Sequence, residues 1–239
     1  MSDNIRTIIL CGGRGARMGC EDLPKPMFAV GRKPILWHIM RIYSHYGFSD
    51  FILSMGFRKN KIEGYFKKTK EWNIEFVDTG LTANTGDRIR KLKNYILGDT
   101  FFATYGDGLS SVNVNRLLRF HKQHKKIATL VSVRPTSPFG IISIDSHTGS
   151  VTHFHEKPVL DHWINGGFFV FNRDIFKYMK SNESLEKDIL PRLAETGNLQ
   201  AYKHEGFWEC MDTYKDNQRL NQLWNSGERP WAVWEKERI

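Results

Sequence analysis

Between Leu10 and Met27 the chain concentrates residue types that grip phosphate. The run Leu10-Cys11-Gly12-Gly13-Arg14-Gly15-Ala16-Arg17 sets three glycines and two arginines directly after an apolar stretch, and Lys25 follows between Pro24 and Pro26. Glycines let backbone N–H groups approach phosphate oxygens closely, and the cations offset the charge. The spacing is neither the dinucleotide-binding G-x-G-x-x-G nor the G-x-x-x-x-G-K-[ST] phosphate loop. A polyphosphate-binding turn of another pattern is expected.

Two isolated carboxylates are the next chemical feature. Asp107 lies between Gly106 and Gly108, just past the apolar run Thr100–Tyr105. It suits either a tight turn or a Mg²⁺ site, because Mg²⁺ takes one or two carboxylates together with substrate phosphates. Asp212, within Phe207-Trp208-Glu209-Cys210-Met211-Asp212-Thr213, reads by itself as a helix N-cap. Spacing alone does not pair two aspartates so far apart. Glu156 and Lys157 adjoin in Glu156-Lys157-Pro158 at the end of an extended stretch, where neighbouring side chains point to opposite faces and form no dyad. Asn165-Gly166-Gly167 offers close approach to a ligand or another backbone. His153 and His155 form an H-x-H that strand alternation explains without a metal.

Elements able to position these groups alternate through the first half. Strands are expected at Ile8–Cys11, Asp50–Met55, Ile74–Val77, Thr100–Tyr105 and Ala128–Val133. Helices are expected at Pro34–Tyr46, Asn60–Lys67, Thr85–Tyr95 and Val112–Lys125. This alternation implies an α/β fold with a mostly parallel sheet covered on both faces, ligands binding beyond the carboxyl ends of its strands. Gly12–Arg17 and Gly106–Gly108 would then meet across one crevice. The second half reads as a hairpin, Gly140–Ile144 with Ser150–His155, then a strand Ile164–Phe171, a helix near Leu185–Thr196 and a tail carrying Trp208, Trp224, Trp231 and Trp234. That tail suits core, interface or acceptor wall. One domain spans 1–239, with a nucleotide-binding half at 1–135 and an acceptor-side half and tail at 136–239.

Composition narrows the classes. The 239 residues are 40% hydrophobic, enough to bury a core, and no apolar run reaches the roughly 20 residues of a membrane helix. No secretory leader is read at the start, so a cytoplasmic location is expected. Cys11, Cys20 and Cys210 are odd in number and lack C-x-x-C spacing, so they read as reduced thiols. The net charge of +9 suits a phosphorylated substrate as well as nucleic acid. The densest basic segment, Arg116–Lys126, reads as a solvated helix face, and no nucleic-acid-binding motif is present, so neither nucleic acid nor membrane is expected as a partner.

Taken together the motifs resemble the sugar-1-phosphate nucleotidyltransferases, most closely those that transfer a cytidylyl group. The pieces are Leu10–Arg17, Lys25-Pro26-Met27, Gly31–Tyr43, Val77–Gly80, Thr85–Arg88, Tyr105–Gly108, Phe139-Gly140, Glu156-Lys157-Pro158, Asn165–Phe169 and Gly206–Thr213, in the family's order. The resemblance implies a Rossmann-like mixed sheet with a small acceptor-side β lobe. It implies Mg²⁺-dependent transfer of CMP from CTP to a small phosphorylated acceptor, glucose 1-phosphate by default, in a homo-oligomer serving surface-polysaccharide synthesis. By carry-over, Leu10, Cys11, Gly12, Gly13, Arg14, Gly15, Ala16, Arg17, Thr85, Gly86, Arg88 and Gly106 hold the nucleotide. Arg17, Lys25 and Asp107 are catalytic, and Asp107 and Asp212 hold the metal. Lys25, Gly140, Glu156, Lys157, Asn165, Gly167 and Trp208 face the acceptor. Departures are Ala16 where the family has Thr, Asp87 where it has Gly, and a short connection between Phe66 and Ile74 where the glucose enzymes carry an insertion. They motivate an alternative acceptor, including a phosphorylated non-sugar such as L-glutamine phosphate, and a remoter alternative, a CTP-binding regulatory subunit. Asp87 is expected either solvated at a helix end or facing the ligand.

Overall fold

The computed structural model describes residues 5–15, 18–19 and 22–235. Ala16, Arg17 and Cys20 lie outside the described residues. Strand β1 (Thr7–Leu10) runs into the glycine loop and is followed by a 3₁₀ turn, Lys25–Met27. A small hairpin, β2 (Ala29–Val30) and β3 (Lys33–Pro34), leads into helix α1 (Ile35–His45). Then come β4 (Asp50–Met55), α2 (Lys59–Phe66), β5 (Asn73–Asp78), α3 (Thr85–Lys91), β6 (Thr100–Tyr105), β7 (Gly108–Ser110), α4 (Val114–His124) and β8 (Ala128–Val133). The chain continues through β9 (Ile141–Ile144), β10 (Val151–His155) and β11 (Ile164–Asn172). It closes with α5 (Leu190–Glu195), β12 (Leu199–Lys203), β13 (Trp208–Cys210) and α6 (Tyr214–Ser226).

Seven strands form one sheet in the order β12-β8-β11-β6-β1-β4-β5, and only β11 runs antiparallel to its neighbours. The expected mixed, mostly parallel sheet is therefore present. Side chains alternate across it. Ile9, Phe51, Leu53, Phe102, Phe168 and Val170 join one core with α1, α2 and α4. Ile8, Ile52, Phe101, Ala103, Phe169 and Phe171 join the other, with α3 and α5. Such two-sided burial explains why these strands read as continuous apolar runs.

The anticipated helix at 85–95 ends at Lys91 and resumes as a 3₁₀ turn, Lys93–Tyr95. The one near 185–196 opens as a π turn, Leu185–Ile189, before α5. Strands β2, β3, β7, β12 and β13 were not anticipated, being short or polar with little periodicity, and α6 was signalled only by the N-cap reading of Asp212. The C-terminal segment is core. Trp231 is fully buried, its indole N–H donates to His38 Nδ1 (3.4 Å), and the Trp234 ring meets Trp37 edge-on at 5.8 Å.

Candidate active site

The carboxyl ends of β1 and β6, adjacent and parallel, carry the two glycine segments to one place. Leu10 pairs with Tyr105, so Gly12 and Gly106 leave the sheet side by side. Gly106 donates its N–H to the Leu10 carbonyl (3.2 Å), and a Cβ there would lie 2.9 Å from that oxygen. At Gly12 a Cβ would strike the Arg88 guanidinium at 2.0 Å. Gly15 turns the loop at φ +61° over the Lys25 side chain.

These segments wall a cavity of about 380 Å³. Its lining includes Leu10, Cys11, Gly12, Gly13, Gly15, Lys25, Thr85, Arg88, Gly106 and Asp107, ten of the residues singled out from sequence. Lining residues that sequence reasoning missed include Asn84, Tyr105, Ser184 and Glu186. Tyr105 stood inside a motif already quoted but had been given no role. Glu186 lay in what read as a plain helix, with no local signal.

At one end of the cavity three charged groups converge. Lys25 Nζ lies 2.8 Å from Asp107 Oδ2 and 2.5 Å from Asp212 Oδ1. Burial works against the ammonium, but the Asp107 charge and the hydrogen bonds to Asp107 and Asp212 outweigh it, so the Lys25 pKa rises above the ordinary lysine value. Asp212 is brought there by β13, which pairs with β7 so that Cys210 opposes Gly108. It is not the N-cap of α6. Thr213 holds that position, in a capping box with Asp216, and the Asp212 N–H donates to Asp216 Oδ2 (3.0 Å). Among the described residues, the one group of three or more possible metal donors is Asp107, Cys210 and Asp212, with ligand atoms all within 4.8 Å of one another. Two carboxylate oxygens already gathered around an ammonium are a fitting donor pair for a hard divalent cation. His153 and His155 stack at 6.2 Å on an exposed strand, outside any such group.

Arg88 works as a buried clamp. It donates to the carbonyls of Met55 (3.2 Å) and Gly12 (3.1 Å) and to Thr79 Oγ1 (2.6 Å), tying the glycine loop to β4 and to the segment after β5. Gly86 packs against Ile189 and the Glu183 carbonyl, away from the cavity. Asp87 is neither solvated nor ligand-facing: it is 2% exposed and pairs with Arg90 (2.8 Å) and Lys91 (3.1 Å) on its own helix. Burial opposes the Asp87 charge, but these partners hold its pKa below the usual carboxylate range.

A further carboxylate faces the cavity, with no cation paired to it among the described residues. Glu186 accepts from Thr85 Oγ1 (2.6 Å), Ser184 Oγ (2.7 Å) and the Tyr105 hydroxyl. Burial disfavours its charge, yet these three donors hold its pKa below the usual range. Tyr105 in turn is contacted by Asn165 Nδ2 (3.4 Å), and its ring lies where a Cβ on Gly167 would come within 2.5 Å. Trp208 braces the same strand, its indole N–H donating to the Gly166 carbonyl (2.7 Å).

Gly140, Glu156 and Lys157 sit elsewhere, at the base of the β9–β10 hairpin. Gly140 lies against Phe154 and Glu156. Glu156 and Lys157 do form a pair, at 3.0 Å, contrary to the alternation argument, because Lys157 turns into the left-handed region at φ 45°. Both are exposed and neither lines the cavity. Arg14 is also exposed and outside the lining.

Residues 6–223 match the family model described as nucleotidyl transferase. The chain is 38% identical to a probable glucose-1-phosphate cytidylyltransferase of Bacillus subtilis, over 96% of this chain and 100% of that protein. It is 38% identical to a glucose-1-phosphate cytidylyltransferase of Salmonella typhimurium, over 97% and 100%. Among solved structures, HddC from Yersinia pseudotuberculosis superposes with a TM-score of 0.75 at 23% identity, covering 92% of this chain and 99% of that one, a likeness of fold.

Proposed function

From the premise that this chain belongs to the nucleotidyl transferase family and is an enzyme, we propose that it transfers CMP from CTP to a small phosphorylated acceptor, with glucose 1-phosphate as the first acceptor to test. The observation that carries the reading is the cavity itself, where a glycine loop ends on Lys25 with Asp107 and Asp212. The cytidylyl donor and the glucose acceptor rest on the 38% identity, over nearly the full chain, to proteins bearing that name. In this reading residues 1–135 hold the nucleotide and residues 136–239 the acceptor, and the enzyme works in the cytoplasm. Among the described residues no helix is long and apolar enough to cross a membrane.

An oxygen of the acceptor phosphate attacks the α-phosphorus in line, the bond to the β-phosphate oxygen breaks, and pyrophosphate leaves with that electron pair. No protein nucleophile is required, so the chain's task is positioning and charge stabilisation. The backbone of Gly12, Gly13 and Gly15 receives the triphosphate, and Arg88 keeps that backbone rigid from beneath. Asp107 and Asp212 would hold Mg²⁺, which supplies charge neutralisation between the phosphates when bound. Lys25 then turns its ammonium from the carboxylates to the phosphates. Arg14 and Arg17 add positive charge at the loop. Asn165 and Gly167 place the acceptor through Tyr105, while Glu186 offers its remaining lone pair to a hydroxyl or amino hydrogen and repels misplaced phosphate.

A regulatory, binding-only role is disfavoured, because nucleotide binding alone needs no pair of aspartates around Lys25. Self-association is part of the proposal. One face of the β9–β10 hairpin presents Ile142, Ile144, Val151 and Phe154 to solvent, and a lone two-stranded hairpin is marginal in water. The test is pyrophosphate release with Mg²⁺, using CTP, UTP, ATP and GTP in turn against glucose 1-phosphate, other sugar phosphates and phosphorylated amino-acid amides. Turnover with CTP and glucose 1-phosphate is expected. Turnover confined to another nucleotide would overturn the donor, and turnover confined to a non-sugar would overturn the acceptor.

A further inference from the structure

Beside the two aspartates lies a third donor that the transfer reaction leaves unused. Cys210 ends β13, whose alternation directs Trp208 and Cys210 to one side and Glu209 to the other, and Asp212 follows two residues beyond the strand. Glu209 accordingly pairs with Arg219 on α6, at 3.1 Å. The pairing of β13 with β7 sets Cys210 opposite Gly108, directly after Asp107. The result is one sulfur and two carboxylates whose donor atoms all lie within 4.8 Å of one another, half-buried, with Asp107 in the cavity wall. The same spot already draws a positive charge, since the Lys25 ammonium contacts both carboxylates.

Mg²⁺ takes oxygen ligands in octahedral geometry and does not use the sulfur. Zn²⁺ and its neighbours bind thiolate at about 2.3 Å and carboxylate at about 2.0–2.2 Å, with three protein donors leaving a fourth position for water. The affinity of mixed sulfur–oxygen sites rises steeply from hard to thiophilic cations. We infer that Cys210 joins Asp107 and Asp212 in a three-donor site for a thiophilic divalent cation, which competes with the hard cation of the transfer reaction and locks the site in a four-coordinate, inactive form. On binding, the sulfur–metal bond forms, the thiol proton passes to water, and the Lys25 ammonium leaves the carboxylates. No electron transfer is involved. The inference rests on Asp107 and Asp212 as the metal-holding pair.

The probe is Co²⁺ added to the full-length protein without nucleotide, read by its near-ultraviolet sulfur-to-cobalt charge-transfer absorption. The wild-type chain is expected to give the band, and Cys210→Ser to lose it. Zn²⁺ affinity, measured by competition with a fluorescent chelator, should fall at least about tenfold in Cys210→Ser, as lost donors near metals do. Mn²⁺ affinity, followed by electron paramagnetic resonance, should change far less. A second measurement needs no variant: Zn²⁺, but not Mg²⁺, should protect Cys210 of the wild-type chain from alkylation, located by mass spectrometry. No charge-transfer band, equal Zn²⁺ affinity in both proteins, or no protection would each overturn the inference. A missing band in the wild-type chain with CTP turnover intact would remove only this inference. Absence of CTP turnover with the band present would remove only the proposed transfer reaction.

Discussion

The cavity behind Gly12 and the hairpin ending at His155 both carry residues of one family pattern, yet they are built in opposite ways. The cavity grows from β1 and β6, strands in the middle of the seven-stranded sheet, and its backbone is pinned by Arg88 through three hydrogen bonds of 2.6–3.2 Å. The hairpin is a separate two-stranded sheet whose residues are exposed on both faces, anchored by the Thr136–Val159 bridge and its flanking hydrogen bonds. Holding a triphosphate demands fixed N–H directions, which buried parallel strands supply. Adapting to an acceptor demands movement, and local stability there is low because few apolar contacts restrain it. Under the proposed function the sheet would supply a rigid donor site and the hairpin a compliant acceptor arm.

The comparison fails first, if it fails, at the rigid end. Asp107→Asn removes a charge from the centre of the site and should lower kcat by roughly 100- to 1,000-fold, measured by pyrophosphate release. Next in size is Gly12→Ala. Its methyl group would force the Arg88 guanidinium out of its bonds, each buried acceptor left unpaired costing about 1–3 kcal/mol. Weaker CTP binding by calorimetry and a lower Tm are expected together; an unchanged Tm would show that the clamp does not hold the loop.

Gly167→Ala probes the junction between the two regions. Gly167 has φ +78°, and its Cβ would meet the Tyr105 ring at 2.5 Å, so acceptor KM should rise more than CTP KM. At the compliant end, Glu156→Gln breaks an exposed pair and should leave the unfolding free energy within about 0.5 kcal/mol of wild type. Its effect is expected on acceptor KM alone, and a loss of CTP affinity would merge the two regions into one.

Acid stability sharpens the same contrast. His38, fully buried with Nε2 donating to the Val30 carbonyl (2.9 Å), has its pKa lowered to about 4 by burial, and His121 is lowered to about 4 by burial and by His124. Below their unfolded value near 6.5 the unfolded chain binds the extra protons. Stability should therefore be full above about pH 6.5 and fall between 6.5 and 4, at most roughly 1.4 kcal/mol per pH unit for each histidine. The measurement is Tm against pH, and His38→Phe should flatten the curve if it still packs against Trp231.

The legible parts of the molecule were those with strong local signals. The runs Asp50–Met55, Thr100–Tyr105 and Ala128–Val133 form strands with the anticipated bounds because burial on both faces makes them largely apolar. Asp107 and Asp212 carried no local signal of pairing and were joined only through the family resemblance, since β7 and β13 are three-residue strands and their contact spans the chain. Glu186 was invisible for a similar reason: its partners Thr85 and Tyr105 lie 101 and 81 residues away. Asp87 was misjudged because its pairing with Arg90 and Lys91 depends on α3 turning its acidic side inward.

The most direct test of the transfer reaction follows the label. Full-length enzyme is incubated with Mg²⁺, glucose 1-phosphate and CTP labelled at the α-phosphate, and the products are separated. The account predicts label in a CDP-linked product and unlabelled pyrophosphate, both lost in Lys25→Met. Label remaining in CTP, or released as free CMP without joining the acceptor, would contradict it.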